Sequence, residues 1–328
     1  MASIYSRAYI TLEASASHDA SGGCHKIDDL AKISYTPVAM LKYLNGECGV
    51  YARRLVDHSC FPLLRRGWVL QERTLSPRVL HFAREELAWQ CNALAVCECG
   101  SGDLYSEPVR FSTIDITPAR SQSATLRSWN DVVQACTALR LTFARDVFPA
   151  LSGIARVFAT SLQDEYVAGL CRRTLIPDLL WYFEGAIKIA SPWRAPSWSW
   201  ASIQSDYPAG YDSFDLNHKL LPASRNLAEV ADVVCEPLGA DKTGELAMAH
   251  LTLRTKAVAS RLEQDESRMY ALRIGPTIVT GMQFLGISRQ YLETVLVGLL
   301  NCRPAVKDCI DITITQIATC IDTQIVEL

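Results

Sequence analysis

Long apolar runs are missing from this sequence, and so is any excess of one charge. The most apolar stretch near the end, residues 291–300, contains Glu293 and falls well short of the roughly 20 residues that a helix needs to cross a bilayer. The N-terminus, MASIY, has neither the basic n-region nor the apolar h-region of a secretory signal. A cytoplasmic protein with reduced thiols and no membrane partner is the expectation. Lys and Arg number 32 against 35 Asp and Glu. With no basic stripe and no acidic tail, no nucleic-acid partner is expected. Gly-rich phosphate loops of the P-loop and dinucleotide kinds are also absent. That argues against a kinase, a GTPase or a self-contained dehydrogenase, and no cofactor is expected. The histidines (His18, His25, His58, His81, His218 and His250) form no HExxH or H-x3–5-H pair, so none is assigned to catalysis. Ser152-Gly153 lacks the first glycine of a nucleophile elbow, which speaks against a hydrolase.

What is present suits a folded core. Of 328 residues, 49% are hydrophobic, enough chain for one large domain or two smaller ones. Cysteine is plentiful, at 12, but scattered; the single cluster is Cys91, Cys97 and Cys99. Structural zinc sites pair their ligands at closer spacing and need a second pair. Only His81 stands nearby in sequence, so free thiols are the expected state and the trio is a weak metal candidate.

Alternation and β-branched residues predict a strand over 8–17, and composition predicts a turn over 18–23. Residues 28–60 are less regular and read as a short helix with loops. Pro62 opens a helix over 62–72, stopped by Ser76-Pro77. Residues 78–82 and 86–91 read as paired strands. The stretch 92–123, rich in Gly, Ser, Thr and Pro, reads as a surface excursion. Apolar positions Trp129, Val132, Val133, Cys136, Leu139 and Leu141 predict a helix over 125–142. Further helices are expected over 147–162 and 175–183. Residues 193–203 read as an extended strand with Trp198 and Trp200 on one face. Strands are expected at 227–234, 250–259 and 269–274, and either a strand or a helix within 301–328.

Several strings occur in a familiar order. IYSRAYITLEASA (4–16), followed by Asp19 and Gly23, is similar to an IY-x-x-A-x-x-T-I-x-A segment. RGWVLQERTLSPRVLHF (66–82) matches an RGWxLQERxLSPRxLxF signature nearly throughout. Trp89 and Cys91 match a closing W-x-C. FPALSGIA (148–155), YVAGL (166–170), LLW (179–181) and APSWSWAS (195–202) follow. Over residues 4–203 the chain resembles fungal heterokaryon-incompatibility (HET) domain proteins. The SYCWG-like and WIDSLCI-like strands that open the family's domain have no counterpart before the IY segment. The resemblance therefore implies an N-terminally truncated domain, or a start codon set too late.

The fold class expected is mixed α/β. Residues 1–100 would be the C-terminal part of a HET domain with strands and short helices, 101–123 a surface loop, 124–204 a helical region with the WSWAS strand, and 205–328 a β-rich region. The resemblance implies signalling in non-self recognition and cell death, through association with other HET-domain or incompatibility proteins or as a homo-oligomer. HET domains have been likened to TIR domains, some of which cleave NAD with a glutamate; by that likeness Glu72 is the candidate catalytic residue. An inert fragment is the third reading. The polar cluster itself supports two readings. Arg66, Trp68, Gln71 and Arg73 could bind a ligand or partner, with Glu72 as base. Alternatively Trp68 and Leu70 are core residues and the charges a buried network that fixes the helix against the hairpin. The second is preferred. Trp198 and Trp200 are read as core anchors rather than a ligand platform.

Overall fold

The computed structural model describes residues 1–24, 36–43, 46–52, 61–83, 86–98, 122–179, 181–183, 187–211, 228–255, 261–264, 270–274, 277–279 and 310–317. Both helices and strands are present, with parallel and antiparallel pairing in one sheet, the mixed α/β class expected. The chain divides into two compact units, Met1–Asp115 and Ile116–Leu328. The division falls inside the expected surface excursion, most of which lies outside the described residues. Among the described residues no helix is long and apolar enough to cross a membrane.

In the first unit a short helix, Ala2–Arg7, precedes strand β1, Thr11–Glu13. Asp19 then caps a 3-10 turn over Ala20–Gly22, the turn expected there. Strands β2 (Thr36–Tyr43) and β3 (Gly46–Ala52) form an antiparallel hairpin. This corrects the expectation of a short helix and loops in 28–60, whose described residues 36–43 and 46–52 are strand. A helix spans Gly67–Leu75, later than the 62–72 expected, because Pro62 starts a separate 3-10 turn at Leu63–Arg65. It stops at Ser76, the residue before Pro77, which steric clash with the proline ring drives out of the helical region.

Strands β4 (Arg78–Phe82) and β5 (Leu87–Cys91) pair antiparallel, as the alternation predicts, and β6 (Ala95–Cys97) adds a third strand. β1 joins the other edge of β4 in parallel. A parallel pair needs a crossover, and the Gly67–Leu75 helix lies on that connection. The sheet order is β1-β4-β5-β6. Because side chains alternate, each register row belongs to one face. The rows Thr11–Val79–Gln90–Ala95 and Glu13–His81–Ala88–Cys97 hold the buried Val79, His81, Ala88 and Gln90. Phe61, Leu64, Val69, Ala88 and Ala95 make the apolar part of this core.

The second unit opens with a helix at Gln122–Thr137, which starts three residues before the expected 125–142 and ends five residues sooner, so Leu139 and Leu141 follow it rather than extend its face. A 3-10 turn at Ala144–Val147 precedes the next helix, which begins at Ser152 rather than at 147 and ends at Leu162 as expected. Strands β7 (Tyr166–Val167) and β8 (Leu170–Cys171) form a minimal hairpin. Only Leu175–Asp178 of the expected 175–183 helix is helical; the aromatic triplet Trp181–Phe183 is strand β9 instead, in keeping with the preference of aromatic side chains for a pleated surface. β10 (Ile187–Ile189) pairs with β11 (Ile203–Ser205), and β9 pairs with β12 (Ala209–Tyr211).

The WSWAS segment is not the strand expected. Ser199 caps a 3-10 turn at Trp200–Ser202, its Oγ accepting from the Ala201 N–H. Ser hydroxyls compete with strand pairing in this way. Trp198 and Trp200 are nonetheless buried. Trp129, Phe148, Phe158, Tyr166 and Trp200 make edge-to-face contacts with centroids 5.3–6.3 Å apart. Farther on, β13 (Ala228–Pro237), β14 (Leu246–Thr255), β15 (Arg261–Gln264), β16 (Tyr270–Ile274), β17 (Thr277–Val279) and β18 (Ile310–Ile317) fill the region read as β-rich, in sheets ordered β13-β14-β18 and β15-β16-β17.

Candidate functional site

The RGW-to-HF string places its polar side chains at different depths. Arg66 is exposed at the start of the helix and Trp68 is half-buried, not the core residue expected. Gln71 and Arg73 are buried. Glu72 is half-buried; its carboxyl is pushed above the usual range by burial, with the Glu13 charge adding to this, against a hydrogen bond from Tyr5 and the opposite charge of Arg66. The Tyr5 hydroxyl is in turn raised to about 12, by burial first and by Glu72 second. The five residues therefore do not open onto one shared surface.

Beneath the helix the sheet's inner face carries a polar cluster that sequence reasoning did not single out. Glu13 and His81 are register partners on β1 and β4. Glu13 Oε2 lies 3.1 Å from His81 Nδ1. Ser15 Oγ lies 3.0 Å from the same nitrogen, and Gln90 Oε1 lies 3.3 Å from Nε2. Glu13, Ser15, His81 and Gln90 are all buried. Burial pulls the Arg73 guanidinium down to about 10, opposed by the negative charge of Glu13. Neither Glu13 carboxylate oxygen has a hydrogen-bond partner.

Serine, histidine and glutamate in contact invite comparison with a nucleophilic triad, but the connectivity differs. A triad needs the hydroxyl on one imidazole nitrogen and the carboxylate on the other. Here both meet Nδ1, and Nε2 faces an amide oxygen. With His81 at 1% exposure and Ser15 at 0%, no reacting group reaches them from solvent. The arrangement ties β1 to β4 and β5. The signal for it was in the strings: alternation in RVLHF puts His81 beside Val79 on the inner face, and in TLEAS it puts Glu13 there with Ser15.

The opposite face of the same sheet is apolar. Leu12, Leu80, Trp89 and Val96 form one register row across all four strands. Leu80 and Trp89 are half-buried, while Leu12 and Val96 are 58% and 41% exposed. Leu94 at the β5–β6 turn, and Tyr9 and Ile10 leading into β1, are exposed beside it. Contiguous apolar surface of this kind marks association sites more often than chance.

Cys91 and Cys97 sit on β5 and β6, and Cys99 lies outside the described residues. Among the described residues no three His, Cys, Asp or Glu side chains come together as metal ligands. The Cys91 thiol is lowered from its ordinary value, chiefly by the Ala93 backbone N–H. No family model, curated protein or solved structure matches the chain.

Proposed function

We propose that the chain is a HET-domain signalling protein of fungal heterokaryon incompatibility, acting in the cytoplasm through protein–protein association. Its partners on this reading are other HET-domain or incompatibility proteins, or further copies of itself. The observation that carries the proposal is the apolar row Leu12–Leu80–Trp89–Val96 on the outer face of the sheet. Leu12 and Leu80 lie in the first two strings that bear the family resemblance and Trp89 in the closing W-x-C, and the exposed Leu12 and Val96 have no role in the core. The buried state of Gln71, Arg73, His81 and Glu13 supports the same reading, because it leaves the signature's polar groups to hold the unit together.

One observation favours a second reading, TIR-like NAD cleavage. Glu72 is a half-buried carboxyl whose proton is held more tightly than usual, the direction of shift that favours a carboxyl in acid–base work. Two measurements separate the readings. Induced expression of the chain in a fungal host is expected to arrest growth, and Leu12→Lys with Val96→Lys is expected to abolish the arrest without loss of soluble protein. NAD consumption by the purified chain is expected to be absent. Growth arrest that survives the two lysines but disappears in Glu72→Ala, together with NAD loss, establishes the enzyme instead.

A further inference from the structure

The second unit contains a cleft of about 360 Å³ whose apolar lining includes Leu139, Leu141, Val147, Phe183, Trp200 and Ile203. That volume lies in the range of small-molecule sites, roughly 300–1,000 Å³. Two cations, Lys188 and Arg194, line it against one carboxylate, Asp206. Arg194 is only 9% exposed. Its Nε donates to the Ala201 carbonyl at 2.6 Å, Nη1 to Ala144 at 3.1 Å and Nη2 to Ile203 at 2.8 Å.

Those three bonds fix the guanidinium plane but supply no counter-charge. A guanidinium has five N–H donors, so two remain beyond the three backbone carbonyls. Among the described residues neither Arg194 nor Lys188 forms an ion pair with a carboxylate. Buried charges are normally paired, because removing them from water without a partner is unfavourable. A preorganised, desolvated arginine at the wall of a cleft is the arrangement that holds an oxyanion.

We propose that this cleft binds a small organic anion with an apolar body. The carboxylate or phosphate head sits against Arg194 and Lys188, and the hydrocarbon or aromatic part lies along Leu139, Leu141, Val147, Phe183 and Trp200. The site is independent of the association surface proposed above, being built wholly from the second unit.

The test uses 8-anilinonaphthalene-1-sulfonate, an aromatic sulfonate that fluoresces when desolvated, with N-phenyl-1-naphthylamine as its uncharged counterpart. Arg194→Gln would strip three carbonyls of their donor and endanger the fold, so the variants are Lys188→Gln, at an exposed position, and Leu141→Trp, which fills the cleft from its rim. Far-UV circular dichroism and the thermal midpoint check that both fold. The expected result is saturable dye binding weakened about three- to tenfold by Lys188→Gln and lost in Leu141→Trp, with the uncharged dye indifferent to Lys188. Displacement by phenyl phosphate or by phenylacetate then names the head group. Dye binding unchanged in both variants overturns the proposal, as does a signal removed by Leu12→Lys and Val96→Lys, or displacement by neither competitor.

Discussion

Glu13 is the residue on which the first unit's interior turns. Its carboxylate is buried, receives no hydrogen bond, and faces His81 and the charge of Arg73. Removing one member of a buried charge group leaves the others uncompensated, at about 3–5 kcal/mol. Glu13→Ala is therefore expected to destabilise the chain by about 3 kcal/mol in urea unfolding, and Glu13→Leu by less than the loss of charge alone would suggest, since it refills the space. An unchanged midpoint for Glu13→Ala would sever the link to Arg73. In the second unit, burial lifts the Asp178 carboxyl to about 6 from an ordinary value of 3.8, while a hydrogen bond from Thr174 Oγ1 at 2.7 Å opposes the rise. The folded chain thus holds this proton more tightly than the unfolded one. Its stabilising contribution is complete below about pH 4 and is lost as pH rises through about 6. Asp178→Asn is expected to flatten the stability profile between those values and to raise stability at pH 8 by on the order of 2 kcal/mol, read from urea unfolding at several pH values.

At the level of elements, the β7–β8 turn shows how closely the second unit is fitted. Ala168 and Gly169 both have positive φ, +47° and +91°, as a two-residue hairpin turn of the primed kind requires. The Gly169 carbonyl accepts from both Trp129 Nε1 and Trp200 Nε1, at 3.1 and 3.0 Å. A methyl group at Gly169 would lie 2.7 Å from Trp200 Nε1, so Gly169→Ala meets strain and collision together. It is expected to cost about 3 kcal/mol or more, seen as a fall in the thermal midpoint; a change of under about 0.5 kcal/mol would show that the turn can relax. This turn lies in YVAGL, a string visible in the sequence, but its role was not, since nothing local says that two indoles, 40 residues before Gly169 and 31 after it, share its carbonyl. Legibility followed locality throughout. The Arg78–Phe82 and Leu87–Cys91 hairpin was readable because alternation and turn lie side by side. Trp181–Phe183 was not, because its strand partner, Ala209–Tyr211, is remote. In the candidate site, Glu72 and the Arg66–Arg73 cluster were legible as a motif. The contact of Glu13 with His81 depends on the parallel pairing of β1 with β4, a long-range register that no spacing reveals.

For the molecule as a whole, charge and apolar surface lead to a prediction about association. With a net charge of −3 the chain has little self-repulsion, and the row from Leu12 to Val96 offers an apolar contact. Association through that face is expected to persist at about 1 M NaCl, where the Debye length is roughly 3 Å, and to be lost with Leu12→Lys and Val96→Lys in sedimentation velocity. Complexes that dissolve as salt rises would instead point to a charged surface. The two compact units divide the labour in this picture: the first presents the sheet face, and the second holds the cleft and most of the aromatic core.

The thiols give the chain a chemical record of its own opening. Cys136 and Cys235 are raised to about 12 and Cys171 is raised further, in each case mainly by burial, so at neutral pH these sulfurs stay protonated and inert. Cys24 and Cys48 are exposed, and Cys91 gives up its proton more readily than an ordinary thiol. A brief pulse of iodoacetamide will therefore mark the outer sulfurs of the native chain at once, and the inner ones only as each molecule unfolds, so that the order of alkylation times the loss of structure with no reporter group engineered into the chain.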